Sequence, residues 1–317
     1  MRFFKILILL TAILFIAAPL IYEAHSAEEN PCVTCHADFK KPAKSVHAAI
    51  ALGCSSCHKT VEGKNHPAQK GSIILTQNMP GLCYSCHDES KFKGKSVHQP
   101  VSGGMCTGCH NAHQSNYPKL LMKDIPGVCY SCHKESKFKG GKSGHTNIGM
   151  CTGCHNPHAS NSSNILKSDQ PDVCYNCHDK AKFTKKNVHK IIPTGGCTPC
   201  HTPHISDNPS LLIMNNIYDL CVTCHVPQSK GQHITASVIA GANKRKYHPI
   251  RGVTDPRFPG KPKKIPDPNK SGKEIEVFDP ANPGKEMTCI SCHNPHSSDF
   301  RKLFPVASVC KLCHQYF

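Results

Sequence analysis

Cys-x-x-Cys-His occurs eleven times in these 317 residues, and those motifs use every one of the 22 cysteines. The pairs are Cys32 with Cys35, Cys54 with Cys57, Cys83 with Cys86, Cys106 with Cys109, Cys129 with Cys132, Cys151 with Cys154, Cys174 with Cys177, Cys197 with Cys200, Cys221 with Cys224, Cys289 with Cys292 and Cys310 with Cys313. Behind them stand His36, His58, His87, His110, His133, His155, His178, His201, His225, His293 and His314. Zinc sites built from paired Cys-x-x-Cys, and disulfide frameworks, each explain cysteines but not a histidine at one fixed offset. With a chance rate of roughly one in twenty per position, eleven repetitions exclude coincidence.

The pattern is that of covalent c-type haem attachment. Two thiols add across the two vinyl groups, and two intervening residues let one helical turn hold both sulfurs at the vinyl separation. The next residue lies under the ring, where its imidazole binds iron from one face. The expected cofactor is therefore eleven covalent haem c groups, and no catalytic residues are expected. Composition agrees. There is no Trp, aromatics make up 6% of the chain, and 22 Gly and 25 Pro interrupt it, so side chains alone supply little interior.

Between Cys83 and Cys221 the motifs recur every 22 to 24 residues, but the repeating unit is a pair of unlike halves. One half reads GVCYSCHKESKFKGGKSGH and the other GMCTGCHNPHASNSSNIL. A single half cannot bury its cofactor's faces, so neighbours must stack. The expected fold is mostly irregular with short α-helices, an extended multihaem cytochrome c of repeated two-haem units with little or no β-sheet. Residues 1–27 read as a signal peptide, 28–225 as a nine-haem repeat region, 226–288 as a Pro/Gly/Lys-rich insertion, and 289–317 as a C-terminal two-haem segment. The insertion reads as a loop, with one short strand at Ile275 to Phe278, serving as a surface excursion, a docking surface or a haem cover.

Once the motif histidines and His25 are set aside, eleven of the 23 histidines remain: His47, His66, His98, His113, His145, His158, His189, His204, His233, His248 and His296. That number matches one second axial ligand per iron. In one half-repeat the spare histidine follows the motif histidine by 11 or 12 residues (His47, His98, His145, His189). In the other it follows by three (His113, His158, His204, His296). A histidine three residues on is tied to the same face of its own ring. It cannot reach the far side, but it can bind the iron of an adjacent haem. His66, His233 and His248 sit outside this register. No Met recurs at a fixed distal offset, and Met105, Met150 and Met287, beside motifs, are expected to pack against haem.

The N-terminus has a charged start, an apolar run from Ile6 to Ala18 and a small-residue region ending near Ala27. This is the form of a cleaved export signal, and the apolar run is shorter than the roughly 20 residues that span a bilayer. The expected location is the periplasm or the outer membrane, with an extracellular site as the alternative. The formal charge of +17 invites a nucleic-acid reading. Eleven haems with ionised propionates contribute about −11 overall with all irons ferric and about −22 with all ferrous, which brings the charge to between about +6 and about −5, so no nucleic-acid partner is expected.

From Cys32 to His314 the strings CTGCHNPHAS, CTPCHTPH and CISCHNPHSSD, and the SVH that follows a motif, carry a resemblance to multihaem c-type cytochromes with doubled Cys-x-x-Cys-His domains. Haem density makes the chain similar to the periplasmic cytochromes of outer-membrane porin–cytochrome conduits. That resemblance implies closely stacked bis-His haems carrying electrons, with periplasmic and outer-membrane cytochromes and a porin-type β-barrel as partners. Related proteins form extracellular filaments, so a homopolymer is an alternative. A multihaem nitrite or hydroxylamine reductase is the enzymatic alternative, and it needs one open iron.

Overall fold

A computed structural model describes residues 31–146, 148–228, 233, 250–268, 270, 272–277 and 279–314. The signal-peptide reading of 1–27 lies outside these residues. Among them, no helix is long and apolar enough to cross a membrane. The chain divides into two units, one of residues 1–76 with 112–120 and one of residues 77–111 with 121–317.

Both units are built from one local device. In ten of the eleven motifs the backbone N–H of the motif histidine donates to the carbonyl of the first cysteine, at 2.9–3.1 Å. This closes a single α-turn around Cys-x-x-Cys, as in the helices Cys32–Cys35 and Cys151–Cys154. None of these turns extends far: among the described residues the α-helices run four to six residues and the 3-10 helices three to five. The exception is the second motif, where His58 opens a strand, His58–Thr60, paired with Ile73–Leu75.

In the first unit, Ser45–Val46 pairs antiparallel with Gln114–Ser115. The second unit repeats that ladder three times: Ser96–Val97 with Ala159–Ser160, Ser143–Gly144 with Ile205–Ser206, and Asn187–Val188 with Ser297–Ser298. The strands of each ladder are 60 or more residues apart, and each ladder ties one half-repeat to the unlike half of the next repeat. Gly94 shows how close this approach is: a Cβ there would lie 2.5 Å from the Ser160 carbonyl oxygen. Two-residue ladders are marginal on their own.

The protein supplies little else. Among the described residues eight apolar side chains are buried: Val33, Ala159, Val173, Ile192, Tyr218, Leu220, Ile250 and Met287. So few cannot offset the ordering entropy of a chain this long. Met105 and Met150 remain 59% and 64% exposed to the protein's own packing, whereas Met287 is buried. The fold is thus short helices and small antiparallel pairs with no closed sheet, about 17% strand.

The insertion differs from the loop expected of it. It holds two antiparallel ribbons, Thr254–Pro259 with Gly284–Glu286 and Lys263–Pro266 with Glu274–Val277. The expected strand at Ile275 is part of the second, with Phe278 outside the described residues. Proline is tolerated because a two-stranded ribbon has only edge strands. Gly284 (φ 79°) faces Gly260 so closely that a Cβ would lie 2.6 Å from the Gly260 nitrogen.

Candidate metal centres

The spare histidines are positioned by the ladders. Just beyond each one, the N–H of a spare histidine from one half donates to the carbonyl of a spare histidine from the other: His47 to His113 at 2.7 Å, and His98 to His158, His145 to His204 and His189 to His296, each at 2.9 Å. Because these two backbones are locked together, their side chains project toward two different motifs.

Nine ring pairs are formed, seven of them by histidines at the ladders, and each joins one motif histidine to one spare histidine. In the first unit His66 faces His36 at 6.1 Å between centroids and His113 faces His58 at 5.8 Å. In the second unit His98 faces His133, His145 faces His178 and His189 faces His225, at 6.0–6.1 Å. His158 faces His110, His204 faces His155 and His296 faces His201, at 6.0–6.2 Å. His233 faces His293 at 5.7 Å. His87 and His314 complete the motif set. His47, and His248, which lies outside the described residues, complete the spare set.

The three-residue histidine is thus turned away from the histidine of its own motif: His158 faces His110, not His155. In the second unit the 11-residue type faces the next motif of its own kind, and the three-residue type faces the previous one.

The spacing fits an iron between two imidazoles. A metal about 2 Å from each ring nitrogen, with each nitrogen about 1 Å from its centroid, puts the centroids roughly 6 Å apart. The donor chemistry fits as well. His98 Nδ1 lies 2.9 Å from the Pro157 carbonyl oxygen, and His47 and His189 make the same contact with Ala112 and Pro295 at 2.9 and 3.0 Å. On the motif side, His155, His201 and His293 contact the carbonyls of Asn164, Ser210 and Lys302 at 2.9, 2.9 and 2.6 Å. Since a carbonyl only accepts, Nδ1 carries the proton and Nε2 presents its lone pair. Burial and the facing histidine push His113, His204, His233 and His296 below the ordinary imidazole range, which keeps them neutral at pH 7.

The accepting carbonyls depend on an unusual turn. Asn164–Ile165, Ser210–Leu211 and Lys302–Leu303 occupy the left-handed region, with φ between 49° and 59°. Each such non-glycine residue costs about 1–2 kcal/mol. A serine clasp holds each turn: Ser206 donates to the Leu212 carbonyl at 2.7 Å, Ser160 to Leu166 and Ser298 to Phe304. Sequence reasoning also missed Phe39, Phe92, Phe138 and Phe183. They pack against His113, His158, His204 and His296 with centroids 4.9–5.2 Å apart. The signal was present in the recurrent Lys-Phe of SKFK, SKFK and AKFT.

Among the described residues no disulfide joins any of the 22 cysteines, and no three His, Cys, Asp or Glu side chains converge as a single metal cluster. Cysteines of successive motifs do approach one another. Cys129 hydrogen-bonds Cys151, Cys174 hydrogen-bonds Cys197, and Cys221 hydrogen-bonds Cys289 across the insertion. Cys109 interacts with Cys132, Cys154 with Cys174, Cys200 with Cys224, and Cys292 with Cys313. From Cys106 to Cys313, attachment sites that are neighbours in sequence are neighbours in space.

The expected attachment cysteines Cys57, Cys86 and Cys177 are set within their own motifs by the same turn contact that most of the other motifs make. Their backbone N–H groups donate to the carbonyls of Cys54, Cys83 and Cys174, each at 3.2 Å. Cys57 is half-buried, and its carbonyl accepts from Thr76 at 2.9 Å as the strand pair begins. Cys86 and Cys177 are exposed, so the protein's own packing does not enclose these two sulfurs.

The family described as the doubled CXXCH motif matches residues 47–92, 98–138, 145–183, 189–230 and 282–317, well over half of the chain. The chain belongs to that family. Four of its five matched segments begin at His47, His98, His145 and His189, the residues that start each ladder contact, and the five contain ten of the eleven motifs. The doubled motif makes this a multihaem c-type cytochrome that binds haem covalently and works in electron transfer. No curated protein sequence matches the chain.

Proposed function

We propose that this doubled-CXXCH protein carries eleven haem c groups, each iron held between a motif histidine and a spare histidine, and that it passes electrons along them without acting on a substrate. The observation that carries this reading is the set of nine facing pairs, each of one motif histidine and one spare histidine near 6 Å. The haem supplies one-electron ferric/ferrous chemistry when bound. The chain contributes two cysteines that fix each ring, two neutral imidazoles that close both faces to small molecules, and carbonyls that orient the imidazoles. The run of adjoining cysteines from Cys106 to Cys313 supports electron passage in chain order.

The N-terminal apolar segment and covalent haem attachment support export, with the periplasm as location and transfer to or across the outer membrane as role. Periplasmic and outer-membrane cytochromes and a porin-type barrel are the partners this reading names. Pyridine haemochrome quantitation of the purified protein tests the count. The expectation is eleven haems per polypeptide, and a value of eight or fewer contradicts it. N-terminal sequencing of the mature chain tests export, with a start near residue 27 or 28 expected and an intact Met1 contradicting it.

A further inference from the structure

Three turns of the second unit repeat one arrangement of hydrogen bonds that ends on a motif histidine. Each begins at a serine two residues beyond a spare histidine: Ser160 after His158, Ser206 after His204 and Ser298 after His296. The hydroxyl accepts from the backbone N–H of Ser162, Asn208 or Phe300, at 3.0, 2.9 and 3.0 Å. The same hydroxyl donates six residues on, to the carbonyl of Leu166, Leu212 or Phe304. That end of the turn lies against the motif. Leu166 and Leu212 form β-bridges with His155 and His201. The N–H groups of Asn156, Thr202 and Asn294 donate to Ile165, Leu211 and Leu303 at 2.7, 2.8 and 2.7 Å. Between serine and motif the chain passes through the left-handed pairs Asn164–Ile165, Ser210–Leu211 and Lys302–Leu303. What each turn delivers is a carbonyl, from Asn164, Ser210 or Lys302, 2.6–2.9 Å from Nδ1 of the motif histidine. Non-glycine backbone held three times in a disfavoured region beside a binding site points to a task at that site.

We propose that Ser160, Ser206 and Ser298 are positioning residues that lower the reduction potential of the irons at the His155, His201 and His293 sites. The inference rests on the haem reading above. Each serine acts through its turn. The hydroxyl holds the turn closed, the turn aims its carbonyl at Nδ1, and the imidazole that donates to this carbonyl is a stronger donor to iron through Nε2. A stronger donor favours the ferric state, which carries one more positive charge than the ferrous. One electron from a neighbouring haem takes the iron from ferric to ferrous, with no bond formed or broken, and that uptake is less favourable with the carbonyl in place than without it. Because the same turn recurs in three half-repeats, three sites receive the same adjustment, which keeps any one of them from trapping the electron.

The test is EPR-monitored potentiometric titration of the full-length holoprotein and of Ser160→Ala, Ser160→Thr and Ser206→Ala. Ser160→Ala removes the donor to the Leu166 carbonyl and lets the Asn164 turn relax. One low-spin component is expected at higher potential with altered g-values, and the low-spin count is expected to stay the same. Ser160→Thr keeps the hydroxyl and is expected to restore the original potential. An unmoved or lowered component in Ser160→Ala overturns the proposal, and so does a threonine variant that behaves as the alanine one. Conversion of one iron to high spin also overturns it, since the serine would then support the ligand rather than tune it. If Ser160→Ala does not accumulate as holoprotein, Ser206→Ala decides. There Asn208 Nδ2 also donates to the Leu212 carbonyl, at 3.0 Å, so a smaller rise is expected; no rise overturns the proposal. The low-spin count of the unaltered protein tests the haem reading separately, so the two fail independently.

Discussion

In the repeats, each facing histidine comes from a neighbouring copy of the same unit; at the C-terminal end it comes from a segment that is not a repeat. His158 reaches back to the His110 site and His98 reaches forward to the His133 site, through one shared backbone contact. The motif after His293, at His314, carries no histidine three residues on to reach back, and His233 of the insertion faces His293 instead. In the first unit His66, also outside the three- and 11-residue registers, faces His36 in the same way. Reciprocal exchange works only where there is a neighbour, so an array of this kind needs caps, as stacked repeat proteins do. The comparison also separates two kinds of stabilisation. The repeats rely on two-residue ladders and cofactor, whereas the insertion brings β-ribbons and a buried ion pair.

The comparison can be broken most forcefully by replacing residues 226–288 with a short Gly/Ser linker. The sites at the C-terminal end should lose their second ligand and turn high-spin, while those faced by His113, His158 and His204 stay low-spin. Spectral change throughout would show that the insertion is not a local cap. A smaller effect is expected from His204→Ala. It should open one iron, the one at His155, and leave the His201 site closed, which carbon monoxide binding combined with site-resolved NMR of the holoprotein would show. Opening at His201 instead would reverse the exchange rule.

Much of this exchange was legible beforehand. Eleven motifs and eleven spare histidines marked the candidate ligands, nine of which stand opposite a motif histidine, and a three-residue spacing pointed away from service to the nearest motif. The pairing itself was not legible, because it depends on ladders such as Asn187–Val188 with Ser297–Ser298, joined across more than a hundred residues. Nor was the left-handed turn at Asn164–Ile165, since β-branched Ile165 there runs against local preference and is held by the Ser160 clasp. The insertion misled for a different reason: proline normally argues against strands, but a ribbon with only edges accepts it.

The smaller effects sharpen the contrast. Phe138→Ala removes the packing on His204 and on Tyr130, an expected loss of about 1 kcal/mol per aromatic contact in chemical denaturation. The iron should stay low-spin, with one set of EPR g-values shifted as the His204 ring turns. The pH dependence of the insertion separates it from the repeats. Arg257 beside Asp255, together with the Ser291 hydrogen bond, holds that carboxyl well below the usual carboxylate range. Its stabilisation is therefore complete above the unfolded value near 4 and is lost as pH falls from there toward the folded one. Hydrogen exchange across residues 254–286 should stay protected at pH 5 and open only in strong acid, and Asp255→Asn should remove that acid-dependent step. Exposed pairs such as Glu135–Lys139, at the repeat surface, should leave stability unchanged when Lys139 becomes Ala.

The central claim is that every iron is capped on both sides by imidazole, so that the cofactor forms a closed interior. Quantitative low-temperature EPR of the oxidised holoprotein, with carbon monoxide added to the reduced form, tests it most directly. The account predicts low-spin ferric signal from all irons and no carbon monoxide adduct. A high-spin ferric signal amounting to several irons, or carbon monoxide binding at most of them, would contradict it.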